Sequence, residues 1–338
     1  MNKFLIVRLG SLGDVVHAIP VAAALREEFP HARIDWVVDP RYADLLGLVS
    51  IVDRCVPFDP RDLFRARERS RVLRTVRELR RLRYDAAIDL QGLVKSAALA
   101  RAIRPRRVIG FPRRHLREPL ARLFYTTAPD PGDTTHVIYK NLALLGPLGV
   151  HDRRVRFPLT VPRSDTVDSI VERFAPDGFV LLNPGAAWPN KQWPPDRFGA
   201  VAAAIRAAHG LRSLVLWGPG EQGLAHDVVR ASQGAAELSP PTAIPELVAV
   251  SGAARLMISG DTGPLHVAAA VGTPLVALFG PTRPERNGPW ALYDLALSRV
   301  DRCSCLYERR CRRAMPCIQD ISVAEVVQAA GRRLSAHG

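Results

Sequence analysis

The sequence predicts two doubly wound, Rossmann-like α/β domains, and three observations carry that reading. Short apolar strands alternate with helical stretches along the chain, the pattern of a mostly parallel sheet covered on both faces. At 338 residues the chain exceeds the usual size of a single core. Two turns share one layout, an apolar strand running into glycine, an acid and a helix start: Gly10-Ser-Leu-Gly-Asp14 and Gly260-Asp-Thr-Gly263. Their separation of about 250 residues places one in each half and predicts two domains facing each other across a cleft.

In the first half, Lys3–Leu9, Arg33–Val38, Arg54–Phe58, Asp85–Leu90 and Arg107–Phe111 are short and rich in Val and Ile, and read as strands. Val15–Glu28, Asp62–Leu82, Leu93–Ile103 and His136–Leu148 read as helices. Gly149–Asp165, with Pro158, Pro162 and several charges, reads as a linker, so the expected domains are 1–160 and 161–338. Strands resume at Phe179–Asn183, Ser213–Trp217, Arg255–Ile258 and Leu275–Phe279. Helices are expected at Pro195–His209, Glu221–Ser232, Ile244–Ala253 and Pro264–Val271. Ser322–Leu334 closes the chain as a helix expected to return toward the first domain, with Ser322 and Glu325 spaced as a capping box.

Hydrophobic residues make up 47% of the chain, enough for two cores, and no apolar run reaches the ~20 residues that span a bilayer. The opening Met-Asn-Lys-Phe-Leu-Ile-Val-Arg is charged too early for a signal peptide and reads as the first strand, which points to a cytoplasmic protein. The net charge of +14 is distributed unevenly. Ten arginines face three acids between Arg61 and Arg83, and eight face one between Arg101 and Arg122. Such blocks suit a polyanionic partner (nucleic acid, a phospholipid surface, or a phosphorylated or carboxylated glycan), or are simply solvated helix faces. Few aromatic side chains interrupt them, which disfavours stacking on single-stranded nucleic acid.

Neither turn carries G-x-G-x-x-G or a P-loop ending, and no D-x-D offers a carboxylate pair for a metal-bridged sugar diphosphate. A diphosphate would therefore be neutralised by side chains and helix ends. Lys191, in the loop leaving strand Phe179–Asn183, is placed for that, and the N–H groups of Thr262 and Gly263 form an anion site at a helix start. Glu221 stands after the next strand, where it can accept ribose hydroxyls. Plain alternatives remain at each position. Lys191 reads alternatively as a solvated charge, Glu221 as a first-turn acid, Asp14 and Asp261 as helix caps, and His17 and His266 as packed core residues. Cys303, Cys305, Cys311 and Cys317 hold four of the five thiols within fifteen residues; they read as a structural zinc or iron site, as reduced thiols, or as redox pairs.

In order along the chain stand Ile6–Pro20, Asp35-Trp-Val-Val-Asp39, Tyr84–Ser96, Arg117–Tyr125, Asn183–Trp193, Gly260–Ala270 and Phe279-Gly-Pro-Thr282. Together they resemble the ADP-heptose:lipopolysaccharide heptosyltransferases, inverting enzymes of the GT-B architecture. Gly92-Leu-Val-Lys-Ser96 and Arg117-Glu-Pro-Leu120 are most similar to the heptosyltransferase I group. The resemblance implies transfer of L-glycero-D-manno-heptose from ADP-heptose to a Kdo-bearing lipid A acceptor, by a protein peripheral to the cytoplasmic face of the inner membrane and needing no catalytic cofactor. It implies Asp14 as general base, Lys191 with Thr262 and Gly263 at the departing ADP, Asp261 on heptose hydroxyls, Glu221 on ribose, and His266 supporting the phosphate turn. Ser11, Gly13, Arg61, Arg65 and Arg117 are the acceptor candidates. Ala186-Ala187 departs from the hydroxyl residues expected in that group. A related enzyme with another nucleotide sugar or a later core acceptor is the nearer alternative, and a non-catalytic nucleic-acid binder the remoter one.

Overall fold

A computed structural model describes residues 1–336. The chain divides into two compact units, Met1–Thr160 and a second beginning at Val161. The first unit runs β1 (Lys3–Val7), α1 (Leu12–Val16), α2 (Ile19–Glu28), β2 (Arg33–Val38), α3 (Ala43–Gly47), β3 (Arg54–Pro57), α4 (Ala66–Arg81), β4 (Ala86–Asp89), α5 (Val94–Ala102), β5 (Arg107–Ile109) and α6 (Val137–Ala143). Its five strands are all parallel, in the order β3-β2-β1-β4-β5. The second unit runs α7 (Asp165–Phe174), β6 (Phe179–Asn183), α8 (Pro195–His209), β7 (Arg212–Val215), α9 (Gln222–Ala231), β8 (Ala236–Leu238), α10 (Ile244–Ala253), β9 (Leu256–Gly260), α11 (Gly263–Ala270), β10 (Leu275–Phe279), α12 (Pro284–Asn287), β11 (Leu295–Ser298) and α13 (Val323–Ser335). Its six strands are parallel in the order β11-β10-β9-β6-β7-β8.

Burial explains why the central strands read as unbroken apolar runs. Phe4–Val7, Phe179–Leu182 and Leu275–Phe279 lie under helices on both sides and are buried throughout. In the first unit, Val72 and Leu79 of α4, Ala97, Leu99 and Ala100 of α5 and Ala121 of the turn Pro119–Phe124 share one cluster with Leu5 and Val7. The second core joins Val180, Leu182 and Ile258 to Trp193, Phe198, Val326 and Ala330. The Trp193 ring meets Phe198 edge-on at 5.0 Å and donates its N–H to Ile321 O at 3.0 Å. No helix among the described residues is long and apolar enough to cross a membrane.

Several elements differ from expectation. The helix expected over Val15–Glu28 is two helices, because Pro20 has no N–H to continue α1 and instead sits in the first turn of α2. Asp62–Leu82 opens with a 3₁₀ turn over Pro60–Phe64 before α4 begins, and His136–Leu148 gives way after Ala143 to a second such turn at Gly146–Leu148, where Pro147 again blocks continuation. Helix α7 was not expected; it buries Val167, Ile170 and Phe174 on one face. The edge strands β8 and β11 are three and four residues long and largely half-exposed, so they lack the apolar run that marks the interior strands. The closing helix forms as expected, over Val323–Ser335. Its apolar face, Val326, Ala329, Ala330 and Leu334, is a layer of the second unit, packed on α8, β9, β10 and β11.

The capping box at the start of α13 is formed: Glu325 N–H donates to Ser322 Oγ at 3.3 Å, and Ser322 N–H to Glu325 Oε2 at 2.9 Å. These backbone and hydroxyl donors, with Arg299, hold the Glu325 carboxyl down at about 2. Ser322→Ala is expected to cost about 1 kcal/mol, read as a lower urea midpoint at unchanged slope.

Candidate active site

In a parallel sheet the loops that leave the carboxyl ends of strands share one edge, and each candidate turn lies at that edge of its own sheet. In the first unit, the turn after β1 carries Asp14 at the third position of α1. Both carboxylate oxygens are held. Oδ2 accepts the Ser11 N–H and hydroxyl, each at 3.0 Å, and Oδ1 meets Arg8 at 2.5 Å. Arg8 comes from β1's own end, its side chain 9% exposed, and a second nitrogen donates to Leu90 O. Asp14 keeps 38% of its side chain exposed, so a carboxylate fixed in direction remains open to solvent. The backbone beside it is clamped too: Gln91 Oε1 accepts the N–H groups of Leu9 and Gly10 at 3.0 and 3.3 Å. A Cβ on Gly10 would stand 2.6 Å from the Tyr42 ring, which fixes glycine at this turn.

The loop carrying Gln91 is anchored by Asp89 at the end of β4. This buried carboxylate accepts Tyr125 Oη at 2.7 Å, Ser96 Oγ at 3.0 Å and the Gln91 N–H at 2.9 Å. Burial still pushes the Asp89 carboxyl up despite these donors. The Asp89-Leu-Gln-Gly92 motif is thus a brace for the Asp14 turn.

In the second unit the corresponding centre is Asp261, whose side chain is 3% exposed. Lys191 Nζ lies 2.6 Å from Oδ2, Thr282 Oγ1 donates to the same oxygen at 2.7 Å, and His266 Nε2 lies 3.3 Å from Oδ1. Burial alone would raise this carboxyl, but His266 and Lys191 together outweigh it and hold it well below the usual carboxylate range. Lys191 also caps the Trp188 ring at 4.7 Å. Three loops therefore converge on the start of α11: those after β6, β9 and β10. Thr262, the residue at the cap of α11, accepts the Asn183 Nδ2 N–H on its hydroxyl oxygen at 2.9 Å and makes no side-chain cap to the helix. Pro264 has no N–H, so the donors at this end come from Thr262 and Gly263.

Glu221 stands at the cap of α9, after β7, with Oε2 accepting the Gly218 N–H at 3.0 Å. It also lies against the lysine loop, since a Cβ on Gly185 would meet its carboxylate at 2.1 Å. Glu221, Lys191, Asp261, Thr262, Gly263 and His266 are thus brought to one edge of one sheet. The acceptor candidates fare differently. Ser11 gives both its donors to Asp14, and Gly13 is buried within α1. Arg61 and Arg65 follow β3 and are paired with Asp59 at 2.8 Å and Asp62 at 3.1 Å. Arg117 follows β5 and is exposed. His17 is buried and presents its carbonyl to Asn141 at 3.1 Å, a packing role.

Sequence reasoning missed Arg8, Asn183 and Thr282. Their signal is position, since each stands at or just past the carboxyl end of a strand. The metal reading of the cysteines finds no support in the geometry. Cys303 and Cys305 place their sulfurs 3.6 Å apart, yet among the described residues no group of three or more His, Cys, Asp or Glu side chains is placed to hold a metal ion. Burial, with the neighbouring thiols, pushes the Cys305 and Cys317 thiols up to about 12.

With this geometry in view, the profile of glycosyltransferase family 9 (heptosyltransferase) matches residues 72–316, more than half of the chain. The chain belongs to glycosyltransferase family 9. A lipopolysaccharide heptosyltransferase 1 of Pseudomonas aeruginosa is 27% identical over 321 residues, covering 91% of this chain and 87% of that protein. Among solved structures, a family 9 glycosyltransferase from Veillonella parvula superposes with a TM-score of 0.83 at 23% identity, covering 99% and 98% of the two chains. An E. coli heptosyltransferase solved with ADP gives 0.76 at 23% identity, covering 98% and 99%. This family 9 member is a glycosyltransferase with the two-domain parallel-sheet fold of those enzymes.

Because the Asp261 carboxyl is depressed in the folded protein, its contribution to stability is present above the unfolded value of about 3.9 and is lost as pH falls below it toward the folded value. Asp261→Asn is expected to be less stable than the parent at pH 7 and to show a flatter loss between about pH 4 and 2, read by thermal melts across that range.

Proposed function

We propose that this enzyme transfers L-glycero-D-manno-heptose from ADP-heptose to a Kdo-bearing lipid A acceptor, with inversion at the anomeric carbon. The observation that carries the reading is the Lys191–Asp261–His266 cluster at the start of α11, in a chain whose family is the heptosyltransferases. The reaction is one displacement. Asp14 accepts the proton of the acceptor hydroxyl as its oxygen bonds to the anomeric carbon, and the bond from that carbon to the ADP oxygen breaks. Negative charge collecting on the departing β-phosphate is met by Lys191 and by the N–H groups of Thr262 and Gly263.

Physical chemistry assigns the remaining parts. Asp261 holds Lys191 in place and offers an oxygen edge to heptose hydroxyls, Thr282 and His266 fix that carboxylate, and Glu221 takes the ribose. Arg8 and Ser11 aim the base. The leaving-group charge is met by side chains and a helix end, so the proposed step needs no metal. Arg61, Arg65 and Arg117, on loops after β3 and β5, suit the phosphates and carboxylates of the acceptor, which reaches a cytoplasmic enzyme peripheral to the inner membrane. The first unit would bind the acceptor and the second the nucleotide sugar.

Purified protein given ADP-heptose and Kdo-lipid A is expected to release ADP, with little release from other nucleotide sugars or with a later core acceptor. Asp14→Asn should lower kcat by about 10²–10⁴-fold with ADP affinity unchanged, and Lys191→Met should lower it by about 10²–10³-fold. Full turnover in Asp14→Asn would remove it as the base.

A further inference from the structure

The surplus of arginine in the first unit has a definite address. Along α4 the buried stripe is Val72 and Leu79, with Thr75 and Val76 half-buried between them. At about 100° per residue, the row Arg67, Arg74, Arg77, Arg81 falls within about 50° of the opposite direction, so four guanidinium groups lie on the face turned away from the core. All four are exposed and form no ion pair among the described residues, whereas Arg65 and Arg71 on the flanks are tied to Asp62 at 3.1 and 2.7 Å. The next helix in the same layer, α5, exposes Lys95 and Arg101.

Beside α5 packs the turn Pro119–Phe124. At three residues per turn its side chains eclipse every third position. Ala121 is buried and Phe124 packs against the core, while Leu120 and Leu123 lie together on the outer face, 66% and 79% exposed. Because α4, α5 and this turn all pack in one core cluster over one side of the first sheet, the arginine row and the leucine pair belong to one layer.

We propose that the outer surface of this layer docks on an anionic phospholipid bilayer, with Leu120 and Leu123 entering the headgroup–acyl boundary and the arginine row lying over the phosphates. Charge complementarity selects an anionic partner, and the exposed aliphatic pair selects a bilayer over nucleic acid, whose phosphates and base edges offer nothing to two isolated leucines. This surface names the partner behind the proposed lipid-borne acceptor, and its test does not depend on turnover.

The whole protein is centrifuged with phosphatidylglycerol-rich vesicles and, separately, with phosphatidylcholine vesicles, at low and high salt. The expected result is partition onto the anionic vesicles only, weakened by salt. Arg67→Gln/Arg74→Gln/Arg77→Gln/Arg81→Gln should lower the partition coefficient by at least about a hundredfold, and Leu120→Ser/Leu123→Ser by about tenfold. Both variants should keep the parent's melting temperature and its turnover on a water-soluble Kdo acceptor, which separates docking from catalysis and from misfolding. Failure of the parent to sediment with anionic vesicles, equal sedimentation of both variants, or salt-sensitive binding to duplex DNA without vesicle binding would each overturn the proposal. Loss of turnover in the parent with vesicle binding intact would instead count against the heptosyl-transfer reading.

Discussion

The buried carboxylate of Asp261 organises the second half of this molecule. Taking a carboxylate out of water costs several kcal/mol unless it is paired and hydrogen-bonded. Asp261 meets that requirement from three directions at once: Lys191 from the loop after β6, His266 from the first turns of α11, and Thr282 from the loop after β10. Those loops would otherwise be independent surface connections. Because one oxygen pair needs all of them, they are held to a common point, and that point lies at the positive end of a helix. The requirement of one buried charge thus brings a lysine, a histidine and a helix start to one edge from segments some ninety residues apart in sequence.

The first unit solves a different problem with similar parts. Asp14 is also held by a cation and by donors, yet its side chain is 38% exposed against 3% for Asp261. One carboxylate is spent on holding a site together; the other is fixed in direction and left open to solvent. Exposure, not residue type, separates a positioning acid from one able to take a proton. The supporting parts follow the same division. Asp89, fully buried, braces the loop whose Gln91 clamps the Asp14 turn, so the buried acid again does the holding and the open acid faces outward.

How much of this was legible in the sequence depends on whether a signal is local. Interior strands such as Phe179–Asn183 and Leu275–Phe279 were read to the residue, because a strand buried on both faces must be apolar without interruption. The edge strands β8 and β11 escaped because half their surface meets solvent and their composition relaxes accordingly. Helix breaks at Pro20 and Pro147 were readable in principle, since proline removes a donor wherever it falls, but the apolar period ran through both and masked them. The site shows the same split. Lys191, Asp261 and His266 stand out by type and by motif. Arg8 and Asn183 do not, because their meaning is a long-range partner: Leu90 for one, Ser259 and Thr262 for the other.

The arginines carry this logic furthest. Counted along the chain they form an excess concentrated in two blocks, but in space they separate into two populations. Arg26 bonds Ala32 O at 2.6 Å and Asp53 at 2.7 Å, Arg197 bonds Ile321 O at 3.0 Å, and Arg333 reaches Asp294 at 3.1 Å. These guanidinium groups satisfy carbonyls and acids within their own fold, work suited to a planar fork with five donors. The α4 row has no such tasks among the described residues. A cation that satisfies nothing within its own fold adds only self-repulsion to the compact state. Four of them on one helix face, in the same layer as two exposed leucines, are the groups the proposed bilayer contact would use, and a net charge alone could never have told these two populations apart.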